Sequence, residues 1–181
     1  MELGGRHAEW QRCSLRVCCR RLHVRDRGID PDRVSASVLK YDVGQDSWSE
    51  VAPLPEPLSS HAACVVGTSI YVVGGWDAQG DTTSTVFRYD SVHDVWSTCA
   101  PMPEGRYFHR ACVLGGMVYV VGGKAEDLLP MSSVARYDPT SDTWSAVAPM
   151  ANGRVTFALF VLDGHMYASS EEGSEVYDPA T

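Results

Sequence analysis

Arg106 and Arg154 stand 48 residues apart, and so do His61 and His109, and Cys64 and Cys112. Each pair carries a different chemistry. A guanidinium presents a planar fork of donors that fits a carboxylate or a phosphate two bonds at a time, so arginines ringing a pocket would suit an acidic peptide. Two imidazoles facing one channel could take a metal. A metal centre needs three or four ligands of fitting geometry, however, and the residue 48 beyond His109 is Phe157. The cysteines lie inside apolar runs, where a thiol acts as a small buried hydrophobe. A second group near the N-terminus, His7, Cys13, Cys18, Cys19 and His23, lacks the paired Cys-x-x-Cys spacing of zinc modules. The chain has no Gly-x-Ser-x-Gly nucleophile turn and no Walker-type phosphate loop. No catalytic residue, metal or cofactor is therefore expected.

The recurrence of these pairs is part of a longer pattern. Tyr71-Val72-Val73-Gly74-Gly75 returns as Tyr119-Val120-Val121-Gly122-Gly123, again at a spacing of 48. Tyr41, Tyr89 and Tyr137 each precede an Asp, and Trp48, Trp96 and Trp144 follow those tyrosines by seven residues. Several elements in one register mark tandem supersecondary units. Each unit reads as four short strands. The first is Ala62 to Val66 or Ala111 to Leu114, and the second, β-branched and aromatic, is Ile70 to Val73 or Met117 to Val121. The third holds the Tyr, and the fourth holds the Trp. The turn between them is rich in Asp, whose side chains accept hydrogen bonds from turn amides. The paired glycines permit close backbone approach. Tyr and Trp bring large apolar area, best used between neighbouring units, with one polar tip each to satisfy.

An apolar strand ending in Gly-Gly, then a Tyr, then a Trp seven residues on, resembles the Kelch repeat over residues 37–181. The stretch Pro101-Met102-Pro103-Glu104-Gly105-Arg106, running on to Gly122-Gly123, is particularly similar to Kelch-like (BTB-BACK-Kelch) proteins. That resemblance implies an all-β, partial β-propeller of four-stranded blades. It also implies a protein-binding, non-enzymatic region that recognises substrates for a cullin-RING ubiquitin ligase. The BTB and BACK regions through which such adaptors meet the cullin are absent from this sequence. Two alternatives stay open: a Kelch scaffold outside the ubiquitin system, such as one organising actin, and a fragment of a copper-oxidase-type propeller.

The expected organisation is a basic, poorly ordered segment over residues 1–36, a partial blade at 37–52, blades at 59–99 and 107–147, and a partial blade at 155–181. A degenerate half-blade within residues 11–27 is an alternative for the first segment. The last unit drifts. Ser170 and Glu171 replace Gly-Gly, and Tyr177 follows Tyr137 by 40 residues, so the loop between its second and third strands is eight shorter. Six units, the usual number for adaptor propellers, would need roughly 290 residues. The expectation is thus an unclosed arc, read as a truncated isoform, a fragment or an incomplete gene product.

In an up-and-down meander, the loops joining strands two and three and those joining one blade to the next share a face. Here these loops are long and varied, and long variable loops on a rigid scaffold are where binding usually resides. Arg106 and Arg154 sit on that face, while the matching residue of the first unit is Leu58. The resemblance implies that such an Arg faces the peptide pocket; the other reading is that it fixes its own loop to a neighbouring blade. Trp76, directly after Gly-Gly, is a candidate contact because exposed Trp is a favoured hot-spot residue. Tyr107 and Lys124 are further candidates. Residues 1–33 carry a net charge of +3 and residues 34–181 a net charge of −11. An acidic body argues against a nucleic-acid groove. No apolar run approaches membrane-spanning length. Scattered cysteines without a disulfide framework point to a reducing, cytoplasmic setting.

Overall fold

The computed structural model describes residues 34–171 and 173–179. The possible half-blade at 11–27 and the N-terminal His/Cys group lie outside the described residues. The secondary structure among the described residues is all β. Strands β1 (Val38–Asp42) and β2 (Ser47–Val51) pair as a two-stranded sheet. A four-stranded sheet follows, β3 (Ala62–Val66), β4 (Ser69–Trp76), β5 (Thr82–Asp90) and β6 (Val95–Thr98). A second has the same order: β7 (Arg110–Leu114), β8 (Met117–Val121), β9 (Val134–Asp138) and β10 (Thr143–Val147). The last sheet holds three strands, β11 (Ala158–Leu162), β12 (His165–Ser170) and β13 (Gly173–Tyr177). Every pairing is antiparallel between chain neighbours, and β7 lies beside both β3 and β11. These are Kelch-type propeller blades, two of them complete. No helix among the described residues is long and apolar enough to cross a membrane.

The core lies between blades. Tyr71 and Val73 of β4 pack with Val118, Val120 and Tyr137 of the following blade. Val72, on the other side of the same strand, packs with Val38 of the preceding one and with Leu58 of the linker that leads into β3. Both faces of β4 are covered, which is why its sequence is a continuous apolar run instead of an alternating one. Leu114, Val121, Phe157 and Met166 fill the third joint.

The Tyr–Trp spacing becomes a cross-strand pair. Tyr89 lies opposite Trp96 and Tyr137 opposite Trp144, with ring centroids 4.9 and 5.0 Å apart. Each Trp then reaches back one blade. Trp96 Nε1 donates to the Ala52 carbonyl and Trp144 Nε1 to the Ala100 carbonyl, both at 2.8 Å. The last Asp of each turn has two tasks. Asp94 accepts from Tyr89 Oη at 2.6 Å and from the Ala52 amide at 2.9 Å, and Asp142 repeats this with Tyr137 and Ala100. The first Asp of the turn, Asp90 or Asp138, takes the turn amides. One short hairpin therefore closes itself and clamps the blade before it.

Gly74 sits at φ 58°, and a Cβ there would lie 2.7 Å from the Arg106 carbonyl oxygen of the next blade. The same holds at Gly122 against Arg154. Ser170 occupies the matching position of the last sheet, where no further blade presses among the described residues, and a side chain is accommodated. The eight-residue shortening leaves only residues 171 and 172 between β12 and β13.

Candidate binding face

Strand β4 runs one residue past its glycines, so Trp76 emerges where the blade meets the following linker. Reciprocal backbone bonds between Ser59 and Trp76 (2.9 and 2.8 Å) hold it there, and Tyr107 and Lys124 are joined in the same way one repeat later. Trp76 packs on Tyr107, with centroids 4.2 Å apart and planes tilted by 32°. Phe108 completes the group, 5.1 Å from Tyr107 and 5.7 Å from Trp76. Tyr107 is buried, whereas Trp76 and Phe108 are half-buried. Three rings from two blades thus form a shelf on the long-loop face.

Phe108 was not singled out by the sequence. Its φ is 55°, a left-handed backbone that a bulky residue rarely adopts and that costs on the order of 1–3 kcal/mol. The bond from its amide to the Ser60 carbonyl (3.2 Å) helps to hold it, and Ser60, 48 residues earlier, has φ 52°. Aromatic residues at 107 and 108 were the only signal in the sequence.

The structure places Arg106 and Arg154 in the walls between blades. Arg106 is 3% exposed: Nη1 donates to the carbonyls of Gly122 and Ser133 at 3.2 Å each, and Nη2 to Ser133 Oγ at 3.0 Å. Its own carbonyl accepts from the Gly75 amide of the preceding blade at 2.9 Å. Burial lowers the Arg106 pKa, and Glu104, 3.8 Å away, partly opposes that shift. Arg154 is 6% exposed and repeats the arrangement. Nη1 donates to Ser170 Oγ and to the Gly173 carbonyl (3.0 Å), and Nε and Nη2 donate to Glu175 Oε1 at 3.1 and 2.9 Å. The Ala151 amide at 2.6 Å, helped by Arg154, holds the Glu175 carboxyl below its usual range. The two guanidinium groups lie in separate joints, and neither is offered to solvent. Of the candidate contacts, Trp76, Tyr107 and Lys124 come together, and the arginines do not join them.

The histidines and cysteines pack. His109 is 1% exposed and its Nε2 lies 3.0 Å from the Val73 carbonyl; burial, reinforced by the charge of Arg106, lowers its pKa to about 3. Burial takes His61 down to about 4. The thiols of Cys64 and Cys112 are pushed up to about 12, chiefly by burial, so they stay protonated. Among the described residues no group of three or more His, Cys, Asp or Glu could hold a metal ion.

With the arginines turned inward, the exposed charged residues of the long loops are acids. Glu56, Asp81, Glu104, Glu126 and Asp127 are exposed, and so is Glu171 in the shortened β12–β13 connection. Glu104, Glu126 and Asp127, from two different loops, line one shallow depression of about 470 Å³. Asp127 lies close enough to Tyr107 to add to the rise that burial causes in its pKa. Leu128 and Leu129, each 63% exposed, project from the same loop.

Residues 28–169 match the KLHDC2/KLHL20/DRC7 Kelch-repeats domain. The chain belongs to the Kelch-repeat family. Human Kelch-like protein 4 is 51% identical over 45 residues, which is 25% of this chain and 6% of that protein. Human Kelch repeat and BTB domain-containing protein 12 is 44% identical over 48 residues, 26% of this chain and 8% of that protein. Mouse Kelch-like protein 35 is 33% identical over 71 residues, 39% of this chain and 12% of that protein. The matches thus span a small part of these relatives. What the chain shares with them is the Kelch repeat, a protein-binding module.

Proposed function

We propose that this chain recognises a protein partner through its long-loop face, as the substrate-binding part of a Kelch-like adaptor for a cullin-RING ubiquitin ligase. The observation that carries the binding face is the aromatic shelf of Trp76, Tyr107 and Phe108. It joins two blades, and one ring is held on a strained backbone, a feature that concentrates at sites of function. Aromatic side chains on a rigid scaffold give large contact area at low entropic cost. The ligase role rests on the likeness to Kelch-like proteins, and contact with a cullin would run through BTB and BACK regions outside this sequence. The reading is non-catalytic: His109 and the thiols of Cys64 and Cys112 serve packing, which also suits a reducing cytoplasm.

Affinity capture with the full chain tests the face. A partner retained by the wild type should be lost with Trp76→Ala combined with Phe108→Ala. It should be kept with Val92→Ala, a 72% exposed residue on the short-turn face. The reverse pattern would move the site to the other face. The ligase assignment has its own measure: ubiquitination of that partner must rise when the chain is joined to a BTB–BACK region and stay flat when the joined chain carries the Trp76 and Phe108 substitutions.

A further inference from the structure

We infer that the long-loop face takes a peptide with a Lys or Arg side chain set beside apolar ones. This deepens the proposal that the face binds protein and rests on it. The occupant's charge follows from the burial of Arg106 and Arg154: Lys124, the remaining cation of these loops among the described residues, is half-buried, and Arg110, exposed at the start of β7, is directed to the Phe157 carbonyl at 3.0 Å. Against it stand the exposed carboxylates of Glu104, Glu126 and Asp127, gathered around one depression.

The apolar half of the occupant follows from the surface beside those acids. Trp76 and Phe108 are half-buried, the Trp76 ring packs on Tyr107, to which Asp127 lies close, and Leu128 and Leu129 project into solvent next to the acids of their own loop. A cationic side chain over an aromatic face gains from the ring quadrupole, and its aliphatic stem covers apolar surface. Acids beside rings therefore select Lys or Arg, and the same acids repel an Asp- or Glu-rich peptide. Complementary charge of this kind sets partner choice and encounter rate more than raw affinity. An acidic peptide, the occupant that solvent-facing arginines would have favoured, meets like charge here.

A bead-displayed random octapeptide library, incubated with the labelled full chain, tests the inference. The retained pool should be enriched in Lys and Arg over Asp and Glu, and retention should weaken between about 50 and about 300 mM NaCl, as the Debye length falls from roughly 14 to roughly 6 Å. A retained basic peptide, resynthesised, should lose about tenfold in affinity with Glu126→Lys plus Asp127→Lys, each reversal replacing an attraction by a repulsion. A pool enriched in acids, or without charge preference, overturns the inference and leaves the face intact. So does a basic peptide whose affinity those reversals do not change. If no peptide is retained, or retention ignores Trp76→Ala plus Phe108→Ala, the binding face itself fails and the inference goes with it.

Discussion

His109→Phe separates the electrostatic from the packing contribution of a residue sealed between blades. The imidazole is 1% exposed and its pKa stands at about 3, held down first by burial and then by Arg106. In the unfolded chain the group titrates near 6.5. The unfolded state therefore binds more protons as pH falls below 6.5, and stability that is fully present above that value is lost progressively towards pH 3. At about pH 5 the loss depends almost wholly on the unfolded value, because the folded group is still neutral. One and a half pH units at ~1.36 kcal/mol each give about 2 kcal/mol. Phe is a fair replacement, since Phe157 fills the equivalent site one repeat later at 5% exposure. It removes the bond to the Val73 carbonyl, a pH-independent cost of about 1–2 kcal/mol. Urea unfolding followed by Trp fluorescence, at about pH 7.5 and about pH 5, should show the wild type losing about 2 kcal/mol more than His109→Phe over that interval. His61 titrates in both proteins and cancels. Equal losses in the two proteins would show that His109 is not sealed from protons in the fold, and the account of its burial would be wrong.

Two further predictions use the repeat as its own control. Gly74→Ala should cost about 2–4 kcal/mol, because Cβ meets the Arg106 carbonyl at 2.7 Å on a left-handed backbone, whereas Gly115→Ala, left-handed with open space around it, should cost about 1 kcal/mol; similar urea midpoints would refute the close-approach account. Trp144→Phe should cost about 1 kcal/mol through the lost bond to the Ala100 carbonyl, and Trp48→Phe, at a 48% exposed Trp, under about 0.5 kcal/mol; a larger loss at Trp48 would sink the back-clamping role.

How much could be read from the sequence depended on how local the determinants were. The seven-residue step from Tyr89 to Trp96 spans one hairpin, so strand pairing follows from turn length alone. The apolar run of β4 reported burial on both faces directly. The eight-residue deletion before Tyr177 mapped onto one loop, because the flanking strands kept their pattern. The orientation of Arg106 could not be read in this way. A pocket-facing and a wall-facing arginine look identical in a repeat, and the choice is made by acceptors at Gly122 and Ser133, which only the folded blade brings near. Phe108 escaped for a different reason: its left-handed backbone lacks the glycine that would normally announce one. Leu128 and Leu129 are apolar residues that a pattern assigns to a core, yet the fold leaves them in solvent.

The Gly-Gly pair and the arginine are best understood as one device. The Arg106 backbone carbonyl bonds the Gly75 amide of the preceding blade, which is why position 74 tolerates no Cβ, while its guanidinium bonds Gly122 and Ser133 of its own blade. One residue thus ties two blades, with its backbone on one side and its side chain on the other. Arg154 does the same, and Glu175 supplies the acceptor that Ser133 Oγ provides a repeat earlier. At the first joint Leu58 stands in that place and is buried with Val72 and Phe87, so the joint is closed by apolar packing. An arginine committed in this way keeps its guanidinium bonded inside the joint, away from solvent. The same residues that argue for an acidic partner when read as a motif leave, once folded into the joints, a face of acids and aromatic rings.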